Sequence, residues 1–206
     1  MKKSIFTLLL GSTLLLTSCG EKKENNADNG NTSTEQSSNE ASSKTYDADY
    51  NLLTDVKTLQ KAEDELKNLQ KFKGKEIQIF QKIYFYGDGR IVVSLQDPSK
   101  PENIDSYTFK NGKWEEPEAV KITGDGDMSA NLIPMSEIKF ETAATIYKQL
   151  EEKAKTIEGG KASDSMYYIL NMARKDKLWM TSIEGTRDSY SGYFLADGTL
   201  KEFSKD

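Results

Sequence analysis

The sequence predicts an α+β fold: a tandem duplication of one helix followed by a four-stranded antiparallel sheet, set behind a polar, disordered linker. Three observations predict it. Two stretches carry apolar residues at three- and four-residue spacing, and each is followed by short segments of alternating polarity. The turn pairs Asn111-Gly112 and Asp197-Gly198 stand 86 positions apart, at corresponding points of the two series. Residues 20–46 are dominated by Asn, Ser, Thr, Glu and Lys and cannot bury enough surface to offset the entropy of ordering.

The elements follow in order. Asp49 to Phe72 reads as the first helix, with Leu52, Val56, Leu59, Ala62 or Glu63, Leu66, Leu69 and Phe72 on its stripe and Gly74 ending it. Ile77 to Phe85 and Ile91 to Gln96 read as strands joined across Gly87-Asp88-Gly89. Ile104 to Phe109 and Lys113 to Ile122 form a hairpin over Asn111-Gly112, the preferred pair where a two-residue turn needs positive φ. Ser136 to Ile157 reads as the second helix, with Ile138, Ala143, Ile146, Tyr147, Leu150, Ala154 and Ile157 on its stripe. Strands are expected at Met166 to Met172, Leu178 to Ile183, Tyr190 to Leu195 and Thr199 to Phe203.

At the same 86-residue offset Ile83 matches Ile169, and Tyr107 and Phe109 match Tyr193 and Leu195. The organisation read from this is a signal segment at 1–18, a linker at 19–46, a first unit at 47–123, a connector at 124–135 and a second unit at 136–206. Each unit is marginal in size for a core of its own, so the two are expected to join edge to edge in one sheet with both helices on one side. Alternation then turns Ile77, Ile79, Ile83, Phe85, Ile91, Val93 and Leu95 toward the helix, and Phe80, Lys82, Tyr84 and Tyr86 away from it.

In element order, residues 47–206 resemble the β-lactamase-inhibitor-protein-like and PepSY-like folds of secreted bacterial proteins. The resemblance implies a sheet face that binds another protein. The inhibitor proteins carry disulfides, whereas Cys19 is the single cysteine here. Inhibition of a β-lactamase therefore does not follow.

Met1-Lys2-Lys3 and the apolar run Ile5 to Leu16 have the form of a secretory signal. Leu16-Thr17-Ser18-Cys19-Gly20 resembles the lipobox of bacterial lipoproteins. That resemblance implies diacylglyceryl transfer to the Cys19 thiol, cleavage before it and acylation of the new terminus, with palmitate-type chains holding the protein on a membrane. The run through Glu21-Lys22-Lys23-Glu24 is also similar to lipoproteins of Bacteroidota. Cleavage removes Lys2 and Lys3 and moves the net charge from −5 to −7. Dual acylation anchors stably where one chain is marginal, and a flexible linker of this length reaches about 30 Å.

There is no histidine, and Cys19 is taken by lipid, so Ser-His-Asp, Cys-His and zinc chemistries have no residues to run on. The acidic balance argues against nucleic acid. Ser136-Glu137-Ile138-Lys139 matches Ser-x-x-Lys, but neither Ser-Asp-Asn nor Lys-Thr-Gly follows it, and Ser136 reads as a helix N-cap. Asp125, Asp127 and Ser129 match the start of a calcium loop, but Ala130 stands where Gly is needed and Ser136 where Glu is needed. Glu115-Glu116 and Asp64-Glu65 are carboxylate pairs among 33 acidic residues and read as solvated surface.

The aromatic set carries the functional expectation. Tyr84 and Tyr86 lie beside Lys82 on the expected open face, while Trp114 and Trp179 either join that contact surface or complete the cores. The reading is a non-enzymatic cell-envelope lipoprotein, without metal or cofactor, at the outer membrane or cell surface. It binds an envelope or extracellular protein through Lys82, Tyr84, Tyr86, Trp114 and Trp179. The alternative is a glycan- or peptide-binding lipoprotein using the same aromatics.

Overall fold

The computed structural model describes residues 49–124, 127–172 and 175–206. The expected signal segment, Cys19 and the expected linker to residue 46 lie outside the described residues. The chain begins in the helix layer. Asn51 caps a 3-10 turn, Leu52–Thr54, which buries Leu52 and Leu53. Helix α1 (Val56–Asn68) follows. The helix expected over 49–72 is thus divided at Asp55. Its carboxylate accepts from the Thr58 N–H at 3.0 Å and from the Thr58 hydroxyl at 2.7 Å. A short acidic side chain that satisfies the first free N–H groups starts a helix rather than continuing one.

Strands β1 (Gln78–Tyr86), β2 (Ile91–Asp97), β3 (Lys100–Lys110), β4 (Lys113–Trp114) and β5 (Glu118–Val120) come next. After a 3-10 turn at Met128–Asn131, the expected connector supplies β6 (Leu132–Pro134), which pairs with the start of β1. Helix α2 is Thr142–Ala154 rather than 136–157. Ile138 is extended, and Glu141, not Ser136, stands at the helix start. Strands β7 (Lys161–Ala162), β8 (Ser165–Asn171), β9 (Asp176–Glu184), β10 (Ser189–Phe194) and β11 (Leu200–Lys205) complete the chain.

All strands belong to one 11-stranded sheet in the order β11-β10-β9-β8-β1-β2-β3-β4, with β5 also on β3, β6 on β1 and β7 on β9. The pairs are antiparallel. The join between the two halves is β1 on β8, with Ile83 opposite Tyr168, Tyr84 opposite Tyr167 and Phe85 opposite Met166. Strand β1 is bulged at Gln81, whose φ is +64°, and this bulge separates the stretch paired with β6 from the stretch paired with β8.

One core lies between this sheet and both helices. Leu59, Ala62 and Leu66 of α1 and Ala143, Ile146 and Leu150 of α2 belong to the same buried cluster as Ile79, Ile83, Phe85, Ile91, Val93, Leu95 and Trp179. The seven residues expected to face the helix, Ile77 to Leu95, are all buried. Lys153 of α2 sits 4.7 Å over the ring of Phe203, which stacks on Tyr190, so the last strands close under the same helix.

The residue-level match of the two halves is not kept on two strand pairs. Ile83, Tyr107 and Phe109 are buried on the helix side, whereas Ile169 pairs with Lys82, Tyr193 pairs with Met180, and Leu195 is exposed. A shift by one position restores agreement, setting Ile83 against Tyr168 and Phe109 against Phe194. With a period of two, one residue decides the face. The two turns differ as well. Asn111 and Gly112 both have positive φ (+53° and +78°), as a two-residue turn requires. Around Asp197 the Gly198 N–H donates to Leu195 O, the Leu195 N–H donates to Thr199 O, and Gly198 sits at +84°. This longer loop has the same hydrogen bonds as Gly87-Asp88-Gly89, where Gly89 donates to Tyr86 O and Tyr86 to Arg90 O.

Two ionisable groups report on the packing. Partial burial opposes the charge on Lys71, but Asp105 at 2.6 Å and Asp97 at 3.1 Å outweigh it and hold the ammonium well above its usual range. This ties the turn after α1 to β2 and β3. Burial pushes the Tyr168 hydroxyl from the usual 10 up to about 12, with Glu137 adding to the effect. The folded protein keeps that proton where the unfolded chain releases it. The contribution to stability is therefore full below pH 10 and falls as pH rises toward 12, by about 2–3 kcal/mol. Tyr168→Phe is expected to remove this part of the alkaline loss. Urea unfolding of both proteins at about pH 9 and about pH 11.5 checks it, and equal losses in the two would contradict it.

Candidate functional site

The sheet has a second face, away from both helices, and the register identifies its residues. Across seven strands a single row reads Glu202, Tyr193, Met180, Tyr167, Tyr84, Val92 and Thr108. At about 4.8 Å between strands the row is about 30 Å long. Beside it run two hydroxyl ladders, Ser204–Ser191–Ser182 and Ser94–Ser106. The face is therefore made of tyrosine and serine with few carboxylates near its centre.

Lys82, Tyr84 and Tyr86 occupy alternate positions of β1, and the structure brings them together on this face as the alternation predicted. Lys82 Nζ lies 5.0 Å from the centroid of the Tyr84 ring. Tyr84 and Tyr86 stack at 6.0 Å with 21° between their planes. Arg90 follows, with its Cζ 4.4 Å from the Tyr86 centroid. The result is a continuous stack of cation, ring, ring and cation. Tyr167 joins it from β8, 5.4 Å from Tyr84 and tilted by 52°. Burial pushes the Tyr167 hydroxyl up, Tyr84 adds to this, and Lys82 pulls it back. All four members of the stack and Tyr167 are half-buried, so each keeps part of its surface for contact.

Both tryptophans lie on the helix side and not on the open face, the core placement of the two that the sequence left open. Trp179 is completely buried on the helix side, 5.2 Å from the Phe85 ring and 5.4 Å from Tyr168, with its Nε1–H directed at Ala196 O at 3.4 Å. Its strand residue faces inward together with Thr181 and Ile183, so Trp179 has no surface to offer a partner. Trp114 is half-buried, also on the helix side. Its Nε1–H donates to Ala62 O at 2.9 Å, and its ring meets Phe109 edge-on at 5.5 Å. It fastens β4 to α1.

Tyr167, Tyr193 and Met180 were missed. In β8 both phases are apolar, Met166 and Tyr168 inward against Tyr167 and Ile169 outward, so alternation alone could not choose between them. The face is decided by pairing, with Tyr167 opposite Tyr84 on one side and Met180 on the other.

The remaining candidates resolve locally. Asp127 turns its carboxylate onto its own backbone turn, accepting from the Ser129 hydroxyl at 2.7 Å and the Ser129 N–H at 2.9 Å, and these bonds hold it below the usual carboxylate range. Asp125 lies outside the described residues. Among the described residues no cluster of His, Cys, Asp or Glu is arranged to hold a metal. Ser136 uses its N–H on Glu76, and Lys139 is exposed, 3.9 Å from Glu141. Both line a groove of about 590 Å³ between the helix starts, next to Val56 and Thr145. Glu115 and Glu116 are exposed. Among the described residues no helix is long and apolar enough to cross a membrane.

No family model matches the chain, and no curated protein matches it in sequence. Among solved structures it is similar to a crystal structure from Clostridium difficile 630 described as a "putative lipoprotein", at a TM-score of 0.50 and 15% identity, covering 76% of this chain and 99% of the other. At that identity the likeness is one of fold.

Proposed function

We propose that the protein is a cell-envelope lipoprotein, anchored through acylated Cys19, that binds another envelope or extracellular protein with the open face of its sheet and is not an enzyme. The observation that carries the binding reading is the row from Tyr193 through Tyr167 to Tyr84 with its flanking serines. Tyrosine supplies large rigid contact area at low entropic cost, and serine supplies hydrogen bonds that adapt to a partner, the composition that antibody paratopes use. A face about 30 Å across is of the scale of a standard interface, about 800 Å² per partner. The lipobox-like Leu16–Cys19 supports the anchoring, as does the likeness in fold to a protein described as a "putative lipoprotein". The tandem reading rests on the order helix, strands, helix, strands, and the outer-membrane or cell-surface location on the lipobox and the linker.

The test is capture from crosslinked cells with the full chain, beside Cys19→Ala and a Tyr84→Ala/Tyr86→Ala variant. Capture of one protein is expected to fall at least about tenfold in the double variant, the scale of losing a pair of interface tyrosines, while its melting temperature stays close to wild type. Undiminished capture would remove the open face from the proposal. Cys19→Ala is expected to lose membrane fractionation, and retention of it would remove the anchor. Glycan captured in place of protein would favour the alternative ligand class.

A further inference from the structure

The stack on β1 carries more information than an exposed aromatic patch does. Its two cations are held differently. Arg90 is balanced by Asp88, whose Oδ2 lies 2.8 Å from Arg90 Nε. Lys82 makes no ion pair among the described residues; what holds it is the Tyr84 ring. Its cross-strand partner is Ile169, which in turn faces Leu178, and Leu178 is buried. A flexible ammonium is therefore fixed against an aromatic ring, beside an apolar row, with no carboxylate paired to it among the described residues. Of the acidic residues on the same face, Asp176 is held by Lys201 at 2.9 Å, Glu184 by the Ser189 hydroxyl at 2.7 Å and Asp88 by Arg90, while Glu202 and Glu118 lie on the outer strands β11 and β5. In a chain with 33 acidic residues, a face that keeps its described carboxylates away from Lys82 is a specific arrangement.

We infer that the partner is a protein segment that sets a carboxylate on Lys82 and an adjoining apolar side chain against Tyr84 and Tyr167. This deepens the reading above and rests on it. A cation already desolvated on one side and restrained by a ring loses little freedom on binding. The charge-assisted hydrogen bond it forms in that setting is stronger than one made by a freely moving surface lysine. The same geometry rejects basic partners, because Lys82 and Arg90 stand at the two ends of the stack.

The experiment is selection of a random displayed-peptide library on the full chain in detergent, followed by titration of the enriched peptides against wild type, Lys82→Glu, Lys139→Glu and Tyr84→Ala/Tyr167→Ala. The expected result is an enriched set with excess Asp and Glu and at least one large apolar residue. Its binding is expected to weaken about tenfold or more in Lys82→Glu and in the tyrosine variant, and to be unchanged by Lys139→Glu, the same charge reversal on the helix side. Loss in the tyrosine variant with binding within about twofold of wild type in Lys82→Glu would overturn the acidic partner and leave the face standing. Binding unaffected by either variant would overturn both. Peptides without acidic bias, or binding of a polygalacturonate probe in place of any peptide, would also overturn the inference. A binding loss in Lys82→Glu accompanied by a shifted melting temperature is resolved by Lys82→Gln, which keeps the stem on the ring and is expected to lose binding without unfolding.

Discussion

Replacing Trp179 by alanine is expected to lower the unfolding free energy by about 3–5 kcal/mol, the range for deleting a fully buried aromatic. The residue is fully buried at the middle of β9, wedged between Phe85 of β1 and Tyr168 of β8. It therefore fills the core directly beneath the join between the two halves of the sheet. Its loss leaves a cavity lined by two other rings and an Ala196 carbonyl without its donor. Trp179→Phe, which keeps an aromatic in place, should cost roughly half as much. Urea unfolding followed by far-ultraviolet circular dichroism measures both. A loss below about 1 kcal/mol for the alanine variant would show that the join does not depend on this packing. Because a domain is stable by only about 5–15 kcal/mol, the alanine variant is expected to be partly unfolded at physiological temperature.

The second large effect is expected at Glu63. It is a buried carboxylate in the middle of α1, and it satisfies a backbone donor 77 positions away: Phe140 N–H donates to Glu63 Oε2 at 2.7 Å. Its other oxygen is paired with Lys67 one turn later. Phe140 itself is fully buried and meets the Phe85 ring edge-on at 5.1 Å. Glu63→Ala orphans a buried N–H group and leaves a gap beside Phe140, at an expected cost of about 2–4 kcal/mol. Glu63→Gln keeps an oxygen that can accept the same bond and gives up only the pair with Lys67, so it should cost about 1 kcal/mol or less. The difference between the two variants, read by urea unfolding, isolates the hydrogen bond. Equal losses would mean that charge, not the backbone bond, is what Glu63 provides. The same contact explains why α2 starts late: with its N–H held by another helix, Phe140 lies in the turn before the helix and α2 begins at Thr142.

Much of the fold was legible because its signals are local. The strand segments at 77–85, 91–96, 104–109, 166–172, 178–183, 190–195 and 199–203 were set by alternation and by Gly-containing turns, and the observed strands differ from them by a few residues at the ends. The strand expected over 113–122 is broken into Lys113–Trp114 and Glu118–Val120, and two short strands were not legible. Leu132–Pro134 and Lys161–Ala162 are too short to show a period and exist because β1 and β9 offer them an edge. The helix ends were overextended for a related reason. Asp55 and Ile138 sit inside apolar stripes that continue past them, and capping and tertiary hydrogen bonds decided where the helices begin.

For the candidate site, the sequence by itself determined the positions on β1. Lys82, Tyr84 and Tyr86 alternate with Ile83 and Phe85, and alternation is a covalent property of an extended chain. It also determined the absence of histidine and the single Cys19. Only the tertiary structure decided that Tyr167 and Tyr193 share their face and that Trp179 does not. In β8 and β10 both phases hold apolar residues, so side-chain pattern leaves two faces of nearly equal merit. The choice is made by pairing, when Tyr167 is set opposite Tyr84 and Met180 opposite Tyr193. Strand pairing joins residues far apart in the chain, and no local preference encodes which of them meet.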